Sequence, residues 1–251
     1  NGGKLRRMAL LALSGACPEC GISNASDHNF CKHCGNPLRP AAVERAMASS
    51  SMERQRDRYL RLVETFPDDP SSYFNLGLAF YHLGQVNEAM RSFRRTIDLD
   101  DAYPAAHFQL SLCHYRRGAM SECAAAARRA VEINPASAPA WFRIALAQFH
   151  QGQLAEAAEA FLVTLRSDPE YVIAHYHLGI IRERLDDPAA AIGCFEEVVR
   201  HNPLDASAHY HLGVCYARLE QDLPAISEFA RALEIDPSDS AAAEGLRELQ
   251  R

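Results

Sequence analysis

Apolar residues recur at helical spacing over 70–83, as at Phe74, Leu78 and Tyr81, and the same spacing returns over 104–117, 138–151, 172–185 and 206–219. A short break follows each stretch, reading LGQ, RGAM, QGQ, LDDP or LEQDLP. A second helix is then predicted over about 87–99, 121–133, 154–166, 188–200 and 222–234. Proline closes the units at Pro135, Pro169, Pro203 and Pro237, at equal intervals along the chain. It does not continue a helix and biases its predecessor away from helical geometry, so these positions mark helix ends. The first unit departs from this, with Asp101 in that place and Pro104 just after.

The frame is also visible at the start of each unit. The hexapeptides SYFNLG (72–77), AHFQLS (106–111), AWFRIA (140–145) and AHYHLG (174–179 and 208–213) follow one another with no insertion or deletion. Such a fixed period, at about 34 residues, predicts paired helices stacked into an all-α solenoid. The five units are 70–103, 104–137, 138–171, 172–205 and 206–239. Pro67 lies two periods before Pro135, so the stretch 41–66 reads as a linking helix that ends an incomplete leading repeat. After Pro237, residues 240–251 read as a final helix whose outer charges cap the core.

Over 70–237 the chain resembles the tetratricopeptide repeat (TPR) family. The first unit supplies Tyr73, Leu76, Gly77, Phe80, Gly84, Ala89 and Phe93 of that family's pattern. The third supplies Trp141, Ile144, Ala145, Gly152, Ala157, Phe161 and Pro169, and the fifth Leu212, Gly213, Tyr216, Ala225, Phe229, Ala232 and Pro237. Small residues let paired helices approach, and aromatic residues fill the gaps beside them. The resemblance implies a right-handed α-solenoid of about five full units that binds another protein and catalyses nothing.

It also implies where that protein would bind, on the concave face lined by the first helices. An apolar ladder is expected there from Phe74, Phe108, Phe142, Tyr176 and Tyr210, then Leu78, Leu112, Leu146, Ile180 and Val214, then Tyr81, Tyr115 and Phe149. Beside it runs a polar edge of Asn75, Gln109, Arg143, His177 and His211, followed by Arg116, Arg184 and Arg218 with His82 and His150. Such a ladder with a basic rim suits a partner segment carrying acidic and apolar residues. The Lys/Asn set with which chaperone-binding members clamp a C-terminal carboxylate does not occur at these positions.

Charge and cysteines add a second part. Residues 1–66 carry ten Lys/Arg against six Asp/Glu, and the rest 16 against 26, so a basic head joins an acidic body. Within that head, CPECGISNASDHNFCKHCGNPL presents Cys17, Cys20, Cys31 and Cys34 as two C-x-x-C pairs ten residues apart. Four thiolates complete a closed tetrahedral zinc site, and Gly21 and Gly35 suit the sharp turns beside each pair. The stretch 17–38 resembles the short zinc ribbons, including Phe30 and Leu38. Structural Zn2+ is the expected cofactor. A disulfide pair and a rubredoxin-like iron site are the alternatives. A closed site leaves no position for water and predicts no chemistry.

Several function classes fall away. No apolar run reaches the length of roughly 18 residues that a membrane span needs. In the segment 1–16 the run MALLAL is shorter than a signal peptide requires. No phosphate-binding glycine loop, G-x-S-x-G or H-E-x-x-H occurs, and no small-molecule substrate is implied. Residues two apart on a helix point to different sides, so the two histidines of each AHYHLG do not chelate one ion. His175 and His209 stand where Trp141 stands and are expected between helices, whereas His177 and His211 are expected on the groove edge. The chain therefore reads as a cytoplasmic, non-enzymatic adaptor. Two weaker readings are an accessory subunit docked by its convex face and basic head at a membrane complex, and nucleic-acid binding through the zinc ribbon.

Overall fold

The computed structural model describes residues 41–250, with side chains from Ser51 onward; the four-cysteine segment and the residues before it lie outside that range. Among the described residues there are twelve α-helices and no strand. The chain divides into two compact units, Asn1–Ser92 and Phe93–Arg251.

In the first unit, α1 (Ala41–Thr65) packs on α2 (Pro70–His82), and α3 (Val86–Leu99) begins here. Asp69 starts α2 by accepting from the backbone N–H groups of Ser71 and Ser72 at 3.2 and 2.9 Å. Proline in its first turn gives up no hydrogen bond there.

The second unit stacks α4 (Pro104–Arg116), α5 (Met120–Ile133), α6 (Ala138–His150), α7 (Leu154–Ser167), α8 (Val172–Arg184), α9 (Pro188–His201), α10 (Ala206–Arg218), α11 (Asp222–Ile235) and α12 (Ser240–Leu249). Each helix packs on the next in sequence, and the first helices of adjacent repeats also meet at α4–α6, α8–α10 and α10–α12. The core runs along the stack: Ile144, Ala145, Phe161 and Leu178 in one cluster, Phe195, Leu212 and Cys215 in the next, Phe229, Ala232 and Ala242 in the last. Phe161 and Phe195 are fully buried, each contributing about 2–3 kcal/mol of burial. Small residues make this possible. A Cβ built on Gly179 would stand 2.7 Å from the Phe195 ring.

The turn between the two helices of a repeat has a backbone requirement that returns once per unit. Gly84, Gly118 and Gly152 adopt φ of 75°, 73° and 76°, while Asp186 and Glu220 adopt 60° and 56° in the same column. A side chain in this left-handed region costs about 1–2 kcal/mol. Part of that is offset because glycine is the more flexible residue when unfolded. Glu220→Gly is therefore expected to stabilise the second unit by about 1 kcal/mol, read as a higher urea midpoint, with Asp186→Gly giving less because Asp tolerates this geometry.

Candidate functional site

In the first unit the expected contact residues lie together on α2. Phe74, Leu78 and Tyr81 are half-buried, and Asn75 donates from Nδ2 to the Ser71 carbonyl at 2.9 Å.

In the second unit the first helices α4, α6 and α8 bring aromatic rings and cations together. The Arg143 guanidinium lies 4.7 Å from the Tyr115 ring centre, and Tyr115 Oη is 3.1 Å from His150 Nε2. Arg184 lies 5.0 Å over Phe149, whose ring is 5.6 Å from His177. Stacking on rings holds Arg143 and Arg184 by about 0.5–2 kcal/mol each. Among the described residues neither forms a hydrogen bond or ion pair, and Arg143 Nε is buried with no acceptor. The half-buried Phe108, Gln109 and Leu112 and the exposed Arg116 lie on α4 of the same array.

Two of the expected ladder residues are inside rather than on the surface. Phe142 and Leu146 are only 6% and 7% exposed. Tyr171, Phe161 and His177 surround the Phe142 ring at 4.9, 5.6 and 6.0 Å, so its own repeat, together with His177 of the next, covers what the sequence places on an open face. They shape the floor and offer a ligand little area.

The histidines have a different role from the one their spacing suggests. His177 stacks on Phe161 with the rings 5.5 Å apart and 6° from parallel, and His211 stacks on Phe195 at 5.1 Å and 9°. Burial, then the nearby His150, holds His177 below its ordinary pKa. With Ala127 in the column that holds Phe161 and Phe195 in later repeats, Arg143 has no such ring behind it and lies on Tyr115 instead. His211 Nδ1 is also 2.8 Å from Glu183 Oε2, and Arg218 donates to the Glu183 carbonyl at 2.9 Å. Burial pushes the Glu183 carboxyl up, but His211, Arg218 and Arg184 together hold it below its ordinary value. His211 and Arg218 are thus committed to Glu183 and join α8 to α10. Tyr176 similarly joins repeats, its hydroxyl 2.8 Å from Ser207 Oγ.

The bulky column before these residues carries a hydrogen bond that sequence spacing did not reveal. The Trp141 indole N–H donates to the Pro135 carbonyl at 2.9 Å. His107, His175 and His209 use Nε2 in the same way toward the carbonyls of Asp101, Pro169 and Pro203, at 3.0, 2.9 and 3.2 Å. Histidine replaces tryptophan here because both present a ring N–H at the required reach. No group of three or more His, Cys, Asp or Glu suited to a metal occurs among the described residues. Burial pushes the Cys113 and Cys123 thiols up to about 11 and that of Cys215 to about 12, as befits core side chains rather than nucleophiles.

The α10 end of this face continues onto α12. Tyr210, Val214, Ala217 and Arg218 line a cleft of about 400 Å3 with Glu244, Glu248 and Leu249. The sequence marked Tyr210, Val214 and Arg218 but not the two glutamates, which read there only as outer charges of a cap.

The tetratricopeptide repeat pattern matches residues 53–104, 87–138, 122–172, 142–192 and 176–240, most of the chain. The chain belongs to the tetratricopeptide repeat family. Among solved structures, this TPR chain is similar to YrrB, described as a TPR protein with an unusual peptide-binding site. The TM-score is 0.69 at 16% identity over 75% of this chain and 97% of that one. MamA gives a TM-score of 0.63 at 19% identity, covering 68% and 93%. MamA from Desulfovibrio magneticus RS-1 gives 0.62 at 18%, covering 68% and 97%. At these identities the likeness concerns the TPR fold. No curated protein sequence matches the chain. No helix among the described residues is long and apolar enough to cross a membrane.

Proposed function

We propose that the chain is a non-enzymatic adaptor that holds a segment of a partner protein against the first helices of its second unit. The TPR fold supports a protein–protein interaction scaffold, and YrrB, similar in fold, is itself described as having a peptide-binding site. The observation that carries the reading is Arg143. Its guanidinium is fixed on Tyr115, its Nε lacks an acceptor, and no carboxylate of the chain pairs with it among the described residues. A partner's Asp or Glu would pair with the terminal N–H groups of that guanidinium, while Phe108, Phe149 and Tyr115 would take apolar side chains.

Replacing Phe108 and Arg143 together by alanine is expected to abolish capture of the native partner while far-ultraviolet circular dichroism stays unchanged. Unchanged capture by the folded variant would refute this face as the site.

Cys17, Cys20, Cys31 and Cys34 are proposed as a structural zinc site, on the strength of their spacing alone. When bound, zinc would supply folding energy to a segment too small to build its own core. Purified Cys31→Ser protein should lose stoichiometric zinc by elemental analysis; full retention would exclude a four-cysteine site.

A further inference from the structure

We infer that the groove reads its partner segment in one direction, because its two ends carry opposite unpaired charge: the segment places acidic residues at Arg143 and Arg184, and a Lys or Arg in the α10–α12 cleft. This rests on the proposed groove binding and specifies the partner more closely.

The cations near α6 and α8 have no carboxylate within ion-pair distance among the described residues, their guanidinium groups lying over Tyr115 and Phe149. Between the two ends, Glu183 is already engaged by His211 and Arg218, with Arg184 acting on it at longer range, so its carboxylate is not free for a ligand. Beyond it the sign reverses. Glu244 and Glu248 stand one turn apart on α12, on the wall of the cleft, and neither is paired with a cation among the described residues. Arg218, the cation lining the cleft, is the one already held by Glu183. The phenol of Tyr210 registers the field. Burial pushes its pKa up, then Glu183, Asp239 and Glu244 push it further, and Arg218 alone opposes.

The cleft is shaped for a long basic side chain. Tyr210, Val214 and Leu249 offer apolar walls to a methylene stem, and Glu244 and Glu248 line the same cleft and would take its charged head. Three first-helix steps of about 10 Å separate α6 from α12. An extended segment covers that in about nine residues. A segment with its charges in the reverse order would set acid against acid at α12 and base against Arg143, which is how a groove rejects the wrong orientation.

The test uses the full chain and three capped synthetic peptides of about twelve residues sharing one Leu/Phe core. One carries Asp-Asp at its first end and Lys-Arg at its last, one has these blocks exchanged, and one keeps Asp-Asp but has Ser-Ser for Lys-Arg. Fluorescence anisotropy at low ionic strength should show one bipolar order binding at least about fivefold tighter than both its reverse and the acid-only peptide, a modest factor because the pairs are exposed. The Glu244→Lys, Glu248→Lys double variant should lose that preference yet retain Arg143-dependent binding of the acid-only peptide. Equal binding of both orders, or a preference surviving in the double variant, overturns the direction while leaving the groove site standing. No binding by any peptide overturns both.

Discussion

Phe195→Ala is expected to cost about 3–5 kcal/mol, enough to unfold the fourth and fifth repeats at moderate urea. The ring is fully buried between α8 and α10: it meets the Gly179 backbone, the edge of Tyr176 at 5.9 Å, and the parallel face of His211 at 5.1 Å. Removing it leaves a void that packed helices relax into only partly, and takes away the surface that orients His211 toward Glu183. Because each repeat of a solenoid contacts only its neighbours, the loss should be local. Hydrogen exchange should accelerate in α8–α11 well before α4–α6. A uniform rise across the second unit, or a loss under about 1 kcal/mol, would mean that this ring is not the local keystone its contacts describe.

Gly213→Ala should cost about 2 kcal/mol, although alanine is the better helix former by up to about 1 kcal/mol. Phe229 is held between two helix backbones. A Cβ on Gly213 would stand 2.7 Å from its Cδ1 and Cε1, and one on Gly245 would stand 2.7 Å from its Cζ. The ring cannot retreat from one side without meeting the other. Combining Gly213→Ala with Phe229→Leu, which shortens the obstructing edge, should cost less than the two single changes added together, as contacting positions allow. Additive losses in urea titrations would locate the cost of Gly213→Ala elsewhere.

Much of this architecture is legible in the sequence because it is set by short-range chemistry repeated on a fixed period. Proline at Pro135, Pro169, Pro203 and Pro237 and the apolar spacing between them place the second-unit helix boundaries within about a residue or two. The turn column was legible in principle, since Asp186 and Glu220 occupy the register of Gly84, Gly118 and Gly152. What spacing along one helix misses is decided between helices. Phe142 is covered by Phe161 and Tyr171 of its own repeat and His177 of the next, and Leu146 is buried in the same cluster. His211 and Arg218 look like free contacts until Glu183 of the preceding repeat is placed beside them. Arg143 gains its character from an absence one period before Phe161, where Ala127 takes the place of a phenylalanine.

The ring N–H bonds from Trp141, His175 and His209 to carbonyls six residues earlier have a consequence for how such a chain tolerates change in length. Each bond is a clasp of fixed span, fastening the end of one repeat to the opening helix of the next. One residue added between Pro169 and His175 would move the donor about a hundred degrees around the helix and open the clasp. A residue added at the turn within a repeat leaves these ring N–H bonds in place, although it would disturb the left-handed turn position and, in the fourth unit, the bond from Arg182 to the Ala190 carbonyl. The constancy of the period is thus enforced most directly at the seams between repeats.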